Sequence, residues 1–267
     1  MILKLANPLL GFCSRIGAVL LGFLRATGSL AIFTGKGVYH IFTPPYYWRQ
    51  FLRQVVDIGY YSLPVVALTT LFSGMVLALQ SYAGFAKFSS EAVIPMVVVV
   101  AITRELAPVL AALMVAGRIG AAMAAEIGTM AVTEQIDALS TLSTNPFKYL
   151  VAPRLLAGTI TLPFLVLVGD VLGVYGGYLV GIHKLGFNSV AYIQNTWDAL
   201  EGIGVVSGLV KATVFGFIIA LMGCYCGYNS RGGAQGVGAA TTNAVVSASV
   251  LVLVFNYLIT ELFFAAL

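Results

Sequence analysis

The sequence predicts an all-α integral membrane protein in which an N-terminal interfacial amphipathic helix precedes five transmembrane helices. The first reason is composition, because 60% of the 267 residues are hydrophobic and 9% are charged. A soluble globular chain carries about 25% charged residues, which keep its surface hydrated. The second reason is the arrangement of the apolar residues in five long runs, and the third is the uneven distribution of basic residues between those runs.

The first 50 residues are moderately apolar and have two faces. Lys4 and Arg15 lie about three helical turns apart on one side, with Arg25 near them. A second side carries apolar residues at three- and four-residue steps: Leu9, Phe12, Ile16, Leu20 and Phe23. This pattern predicts an amphipathic helix in the cytoplasmic interface, followed by a connector. The alternative interpretation is a sixth transmembrane span.

Five long apolar runs follow this segment. Each run exceeds the roughly 20 residues that cross a hydrocarbon core of about 30 Å. Because backbone groups in lipid must bond within their own segment, we predict that all five are helices. The runs are Ile58–Tyr82, Ala92–Gly117, Leu155–Ile182, Gly202–Tyr228 and Thr242–Leu267.

The basic residues predict the orientation. With the N-terminus in the cytoplasm, Lys87 and Lys184 lie outside and ten basic residues lie inside, the asymmetry that the positive-inside rule describes. Five spans then place the C-terminus outside. The ten inside residues are Lys4, Arg15, Arg25, Lys36, Arg49, Arg53, Arg118, Lys148, Arg154 and Arg231.

The connection between the second and third runs, residues 121–154, is too long for a tight turn and has a helical pattern. Its apolar face carries Val132, Ile136 and Leu139. Its polar face carries Glu126, Thr133 and Asp137, and Asn145-Pro146 ends the helix. Such a helix on the cytoplasmic side is suited to a partner's groove. The alternative is a solvated loop.

The chain carries several motifs in order, from Gly74-Met75-Val76-Leu77 in the first run to Pro153-Arg154 before the third run. Together these motifs resemble the MlaE-type permease family, the membrane subunits of MCE-associated ABC transporters. The resemblance covers the chain from about residue 50 to the end, whereas the first 50 residues match only in character. It divides the chain into an N-terminal helix and connector, 1–50, and a permease domain, 51–267. The motifs are Gly74-Met75-Val76-Leu77, Leu79-Gln80, Arg104-Glu105-Leu106-Ala107-Pro108-Val109, Ala116-Gly117-Arg118-Ile119-Gly120, Ala125-Glu126-Ile127-Gly128-Thr129-Met130, Thr133-Glu134-Gln135-Ile136-Asp137-Ala138-Leu139 and Pro153-Arg154.

The resemblance implies a homodimer in the bacterial inner membrane. Each copy would dock one cytoplasmic ATPase, and a periplasmic MCE-domain protein would cover the outer face while phospholipids or related lipids are moved. The coupling segment would comprise Glu126, Glu134, Gln135 and Asp137. ATP and Mg²⁺ would be bound by the ATPase, and we expect no cofactor in this chain. Consistent with this, Gly35-Lys36-Gly37 lacks the other residues of a phosphate-binding loop.

Charges inside the apolar runs are the second indication of a site. An ionisable group near the bilayer centre is costly, so it should face the bundle interior, water or a partner. Arg104 and Glu105 are adjacent, point about 100° apart on a helix and should bond to different partners. Lys211 and Glu261 could join this network, even as a direct pair. The charges either border a lipid-headgroup pocket or fix helix register as buried ion pairs.

An apolar cavity for lipid tails could be lined by Leu77, Leu79 and Tyr82, although helix spacing does not distinguish this from ordinary helix packing, which is the simpler explanation. Two other function classes are an ion-coupled secondary transporter, with Asp170 in a charge relay, and a membrane-embedded lipid enzyme. The enzyme is disfavoured because the two histidines lie at opposite membrane edges, which also predicts no metal site. The scattered basic residues argue against nucleic acid.

Overall fold

A computed structural model describes residues 2–85 and 93–265, which form helices joined by short turns and, within these two ranges, no strand. The prediction of an all-α protein is confirmed. The helices are α1 (Ile2–Ile41), α2 (Trp48–Ile58), α3 (Leu63–Phe85), α4 (Val93–Ala101), α5 (Ala107–Val115), α6 (Ala121–Val132), α7 (Gln135–Thr141), α8 (Ala152–His183), α9 (Ser189–Ala199), α10 (Gly202–Tyr228) and α11 (Gly233–Phe264).

Six stretches of the described chain are long and apolar enough to cross a membrane, and five of them overlap the five predicted runs. The sixth is Gly17–Ile41 within α1, which fits the alternative interpretation of a further span. The interfacial position of the N-terminal helix stays a prediction. The side chains of residues 1–16 and of Phe23 lie outside the described part, as does Lys87. The six stretches are Gly17–Ile41, Trp48–Phe85, Val93–Val132, Phe147–His183, Gly202–Tyr228 and Gly233–Phe264.

The stretch Trp48–Phe85 consists of two helices. A break at Gly59 and a 3₁₀ turn, Tyr60–Ser62, separate α2 from α3. At 1.5 Å per residue, the 23 residues of α3 extend roughly 35 Å and suffice to cross the hydrocarbon core. The amphipathic α2 packs Gln54 and Ile58 inward and leaves its other side exposed. The helix α3 alone is therefore long enough to cross a membrane, and α2 is a separate amphipathic helix before it.

Glycines bring α3 and α8 into direct backbone contact. A Cβ atom on Gly74 would lie 1.8 Å from the carbonyl oxygen of Gly173, and one on Gly176 would lie 2.2 Å from that of Leu71. Since no side chain fits at either position, glycine is required on both helices. Without a hydrophobic drive between helices in lipid, such close packing supplies much of the stabilising contact.

The second span and the first helix of the connection, α6, form one continuous helical rod from Val93 to Val132. It contains two π-helical segments, which we call the first π segment (Ile102–Leu106) and the second π segment (Ala116–Gly120). A π turn inserts an extra residue into an α-helix and occurs frequently at functional sites. The first segment carries Arg104 and Glu105, and the second carries Arg118. The rod therefore links the intramembrane charges to the connection that begins with α6.

Candidate functional site

Arg104 and Glu105 in the first π segment bond to different partners, as the sequence predicts. The Nη2 atom of Arg104 lies 2.6 Å from Oε2 of Glu201, at the start of α10. Oε1 of Glu105 lies 2.6 Å from Nζ of Lys211, in the third turn of the same helix. Two ion pairs therefore attach the second span to α10 and the residues just before it.

Lys211 is fully buried, and its ammonium group has two acceptors. It donates to the carbonyl oxygen of Arg104 at 2.8 Å and to Glu105 at 2.6 Å. Glu105 also accepts hydrogen bonds from Asn256 and Thr260 of α11, both at 2.9 Å. We call these six residues the charge cluster: Arg104, Glu105, Glu201, Lys211, Asn256 and Thr260. The cluster joins three spans, α4–α6, α10 and α11.

The Arg104 side of the charge cluster is the more open side. The guanidinium lies 4.8 Å from the ring centroid of Phe264, within the range of a cation–π contact. Glu201 is exposed, whereas the side chain of Lys211 has no exposed surface. The cluster therefore extends from the exposed carboxylate of Glu201 to the fully buried ammonium group of Lys211, whose partner Glu105 has a side chain that is 39% exposed.

The suggested pair between Lys211 and Glu261 is wrong, because Lys211 bonds to Glu105 instead. Glu261 is exposed near the end of α11 and has no ion pair among the described residues. Glu201, Asn256 and Thr260 were not predicted from the sequence. The four-residue spacing of Asn256 and Thr260 inside an apolar run was the available signal, since it puts both on one helical face.

The three predicted cavity residues do not share one surface. Leu77 lines an open cleft of about 380 Å³, together with other residues of α3 and Leu106 of the first π segment. Tyr82 instead packs near Phe187, with ring centroids 5.9 Å apart, and Leu79 does not belong to the lining within the described chain. The full lining is Phe72, Ser73, Val76, Leu77, Gln80 and Leu106.

The connection after the second span is two helices, not the single helix that the sequence predicts. α6 ends at Val132, and Glu134 adopts a left-handed backbone conformation with φ of 60° before α7 begins. Ile136 is buried, as the predicted apolar face requires. The Oδ1 atom of Asn145 accepts from the backbone N–H of Phe147, so Asn145-Pro146 also starts the next helical segment.

The four predicted coupling residues divide into two groups. Glu134, Gln135 and Asp137 are exposed around the start of α7. Glu126 lies on α6, and its Oε2 atom is 2.8 Å from Nη2 of the buried Arg154 at the start of α8. This ion pair borders a polar cavity of about 280 Å³. The exposed acids are therefore free to meet a partner, while Glu126 ties the connection to the third span.

Two buried polar groups lie apart from these sites. Asp170, in the middle of α8, is buried, and its Oδ1 atom has no hydrogen-bond partner among the described residues. On α9, outside the spans, burial raises the pKa of Tyr192 to about 12. We assign no role to either residue.

Comparisons with known proteins agree on the family. The model of a family described as "Permease MlaE" matches residues 51–262. A "Probable ABC transporter permease protein" of Rickettsia felis is 59% identical over 256 residues, which cover 96% of this chain and 99% of the relative. The "Intermembrane phospholipid transport system permease protein MlaE" of Haemophilus influenzae is 32% identical over 263 residues, covering 97% of this chain and 99% of the relative. The chloroplastic protein TRIGALACTOSYLDIACYLGLYCEROL 1 of Arabidopsis thaliana is 36% identical over 236 residues, 88% of this chain and 67% of the relative.

Proposed function

This chain belongs to the MlaE permease family, and we propose that it moves phospholipids, or related lipids, between the bacterial inner membrane and the cell envelope. It is a multi-pass membrane subunit and a non-catalytic one, so the ATP hydrolysis and the bound ATP and Mg²⁺ belong to a separate cytoplasmic ATPase. The observation that carries the proposal is the end-to-end similarity to the Haemophilus permease, whose name states phospholipid transport. An MCE-domain protein is the proposed periplasmic partner.

The connection between the second and third spans supports the ATPase proposal. The carboxylates of Glu134 and Asp137 are exposed at α7 and have no ion pair among the described residues, so a basic groove could bind them. The Glu126–Arg154 pair connects α6 to α8. A Cβ on Gly128 would also be 3.4 Å from Ser230, which follows α10. Movement imposed at α7 would therefore reach several spans at once.

The lipid path is proposed at the cleft beside Leu77. The apolar residues of this cleft lie on the side of α3 that faces away from the other helices, where Phe72 and Val76 are exposed. A second copy packed against this side would convert the open cleft into an enclosed one, which supports a homodimer. Leu106 connects the cleft to the first π segment and hence to the charge cluster. In this proposal the cluster controls or borders the headgroup end of the path.

Co-expression of the tagged full chain with its genetic neighbours tests the proposal. After purification in mild detergent, mass spectrometry should find a stoichiometric ATPase, an MCE-domain protein and bound phospholipid. After reconstitution, lipid movement should require ATP. A chain that purifies alone and moves its substrate without ATP contradicts the proposal and favours the ion-coupled transporter.

A matched pair of variants tests the docking helix. E134Q/D137N removes two exposed carboxylates without changing side-chain size, so the permease should fold but retain much less ATPase. The control is D198N, which removes an exposed carboxylate from α9, far along the chain from α7. Equal ATPase retention by E134Q/D137N and wild type contradicts docking through these acids.

A further inference from the structure

The exposed side of α2 combines apolar and cationic residues in a way that neither a core nor a water-facing surface explains. Trp48, Leu52 and Val56 are 64%, 59% and 49% exposed, and they lie on one side of the helix. Arg49 and Arg53 are exposed immediately beside them. An apolar strip flanked by arginines is typical of a helix that lies at the boundary between acyl chains and headgroups.

A cleft of about 830 Å³ opens next to the two arginines. One wall is fixed, because Gln50 donates a hydrogen bond of 2.7 Å to the hydroxyl of Tyr149, and Tyr47 packs edge-on against the same ring at 5.2 Å. The cleft is therefore a preformed feature built from α2, the residues before it and the segment that precedes α8. Its lining is Tyr46, Tyr47, Trp48, Arg49, Gln50, Arg53 and Tyr149.

The two arginines of the cleft are not paired with a carboxylate, because neither Arg49 nor Arg53 forms an ion pair among the described residues. Asp57, one turn after Arg53, and Glu126 line the adjoining cavity, where Glu126 is already paired with Arg154. Arg49 and Arg53 stand one helical turn apart, a spacing at which like charges repel. Two guanidinium groups at this spacing can donate several charge-assisted hydrogen bonds to one phosphate, and the bound anion removes the repulsion.

The surroundings of the cleft indicate which phosphate it holds. Trp48 and the tyrosines are residue types that sit at headgroup depth, and the exposed apolar strip of α2 needs acyl chains beside it. A soluble phosphate would neutralise the arginines but leave the strip uncovered. A phospholipid satisfies both requirements, because its headgroup and its chains meet at this depth.

We propose that Arg49 and Arg53 bind the phosphate of an anionic phospholipid of the surrounding bilayer, with the acyl chains of that lipid along Leu52 and Val56. This lipid is separate from the transported one. The cleft shares Gln50, Arg53 and Tyr149 with the cavity beside Glu126 and Met130. Met130 lies on the same continuous rod as Arg104 of the charge cluster. The two residues are 26 positions apart, a distance along the helix axis of roughly 40 Å at 1.5 Å per residue. The bound lipid would hold α2 beside the coupling connection.

Lipid retention measured by native mass spectrometry tests this proposal without the ATPase. The full chain is reconstituted into nanodiscs of phosphatidylcholine with a minority of phosphatidylglycerol, and lipids released from the protein are counted. The R49Q/R53Q variant should retain phosphatidylglycerol about 10-fold to 30-fold less tightly at this site, since each arginine near an anionic surface contributes roughly a factor of five. Any transported lipid is common to both proteins and cancels in the comparison.

The control variant is K184Q/R231Q, which removes two exposed positive charges elsewhere and should retain phosphatidylglycerol like the wild type. Equal retention by R49Q/R53Q and wild type overturns the proposal, as does an equal loss in the control. An excess of inorganic phosphate provides the second arm. If free phosphate displaces the lipid as readily as added phosphatidylglycerol does, the cleft is a soluble-anion site and the lipid assignment is wrong.

Discussion

The two π segments of the second span lie on the same helix and both carry charged residues, yet they are anchored differently. In the first segment, Glu105 meets a buried ammonium group and two side-chain donors from α11. In the second segment, Arg118 is exposed and donates to the backbone carbonyl of Asp57 at 3.2 Å and to the hydroxyl of Ser62 at 2.8 Å. One segment therefore fixes spans to each other inside the membrane, and the other fixes the elbow between α2 and α3.

The difference follows from burial. A buried charge must be satisfied by several groups at once, because water cannot replace a missing partner. An exposed arginine can lose a bond and be solvated, so its contacts are exchangeable. We infer that the first π segment is the rigid anchor of the second span and that the second segment is where movement of α6 can be passed to α2.

The largest expected effect is that of E105A on stability. The substitution leaves the fully buried Lys211 with only the Arg104 carbonyl as a partner, and an uncompensated buried charge costs about 3–5 kcal/mol. Chemical denaturation in mixed micelles measures the free energy of unfolding. The E105A/K211M double variant should recover most of the loss, because it also removes the orphaned charge. A double variant no more stable than E105A would show that the loss has another origin.

A smaller loss is expected from G208A, which tests how closely α10 must approach the first π segment. A Cβ atom on Gly208 would lie 2.4 Å from the carbonyl oxygen of Thr103. The two helices must then separate, which we expect to cost about 1–3 kcal/mol, as overpacking usually does. The control is G202A on the same helix, where a Cβ has open space. Equal stability of the two variants would contradict the close approach.

R118A should cost less still, about 1–2 kcal/mol, because the two lost hydrogen bonds involve a charged donor that water can solvate. The control G117A lies in the same π segment, where a Cβ meets no neighbour within 4 Å, and it should leave stability nearly unchanged. Limited proteolysis at the elbow reports the local effect, and faster cleavage near Gly59 is expected for R118A. Cleavage of R118A at the wild-type rate would show that Arg118 does not hold the elbow.

The sequence predicted the spans well and the bonds between them poorly. Long apolar runs indicate helices whatever their neighbours are, so the five runs were recognisable from composition and length. The different partners of Arg104 and Glu105 also follow from helical geometry alone. Which carboxylate meets Lys211 depends on how α10 packs against its neighbours, and the contact of Gly208 with Thr103 brings α10 against the first π segment, which carries Glu105. Helical spacing within one segment carries no information about such a contact.

The break in the connection shows the same limit. Residues 121–139 have a continuous helical pattern, and nothing in it marks Glu134, a residue without the conformational freedom of glycine, as a left-handed position. The cleft beside Arg49 and Arg53 was equally hidden. Both arginines counted toward orientation in the sequence, but their proximity to Tyr149 arises from tertiary packing.

The smallest expected effect is that of E261Q, and it distinguishes the structure from the pairing that the sequence suggested. If Lys211 paired with Glu261, removing that carboxylate would leave a buried charge and cost about as much as E105A. In the structure Glu261 is exposed, so E261Q should change the free energy of unfolding by less than about 0.5 kcal/mol, as surface substitutions do. Chemical denaturation in mixed micelles decides between the two pairings. E105Q is the reference variant, because it makes the same chemical change on the carboxylate that contacts Lys211. If E261Q lost as much stability as E105Q, Glu261 on α11 would also have to contact Lys211. The assignment of Glu105 in the first π segment as the partner of Lys211 would then be wrong.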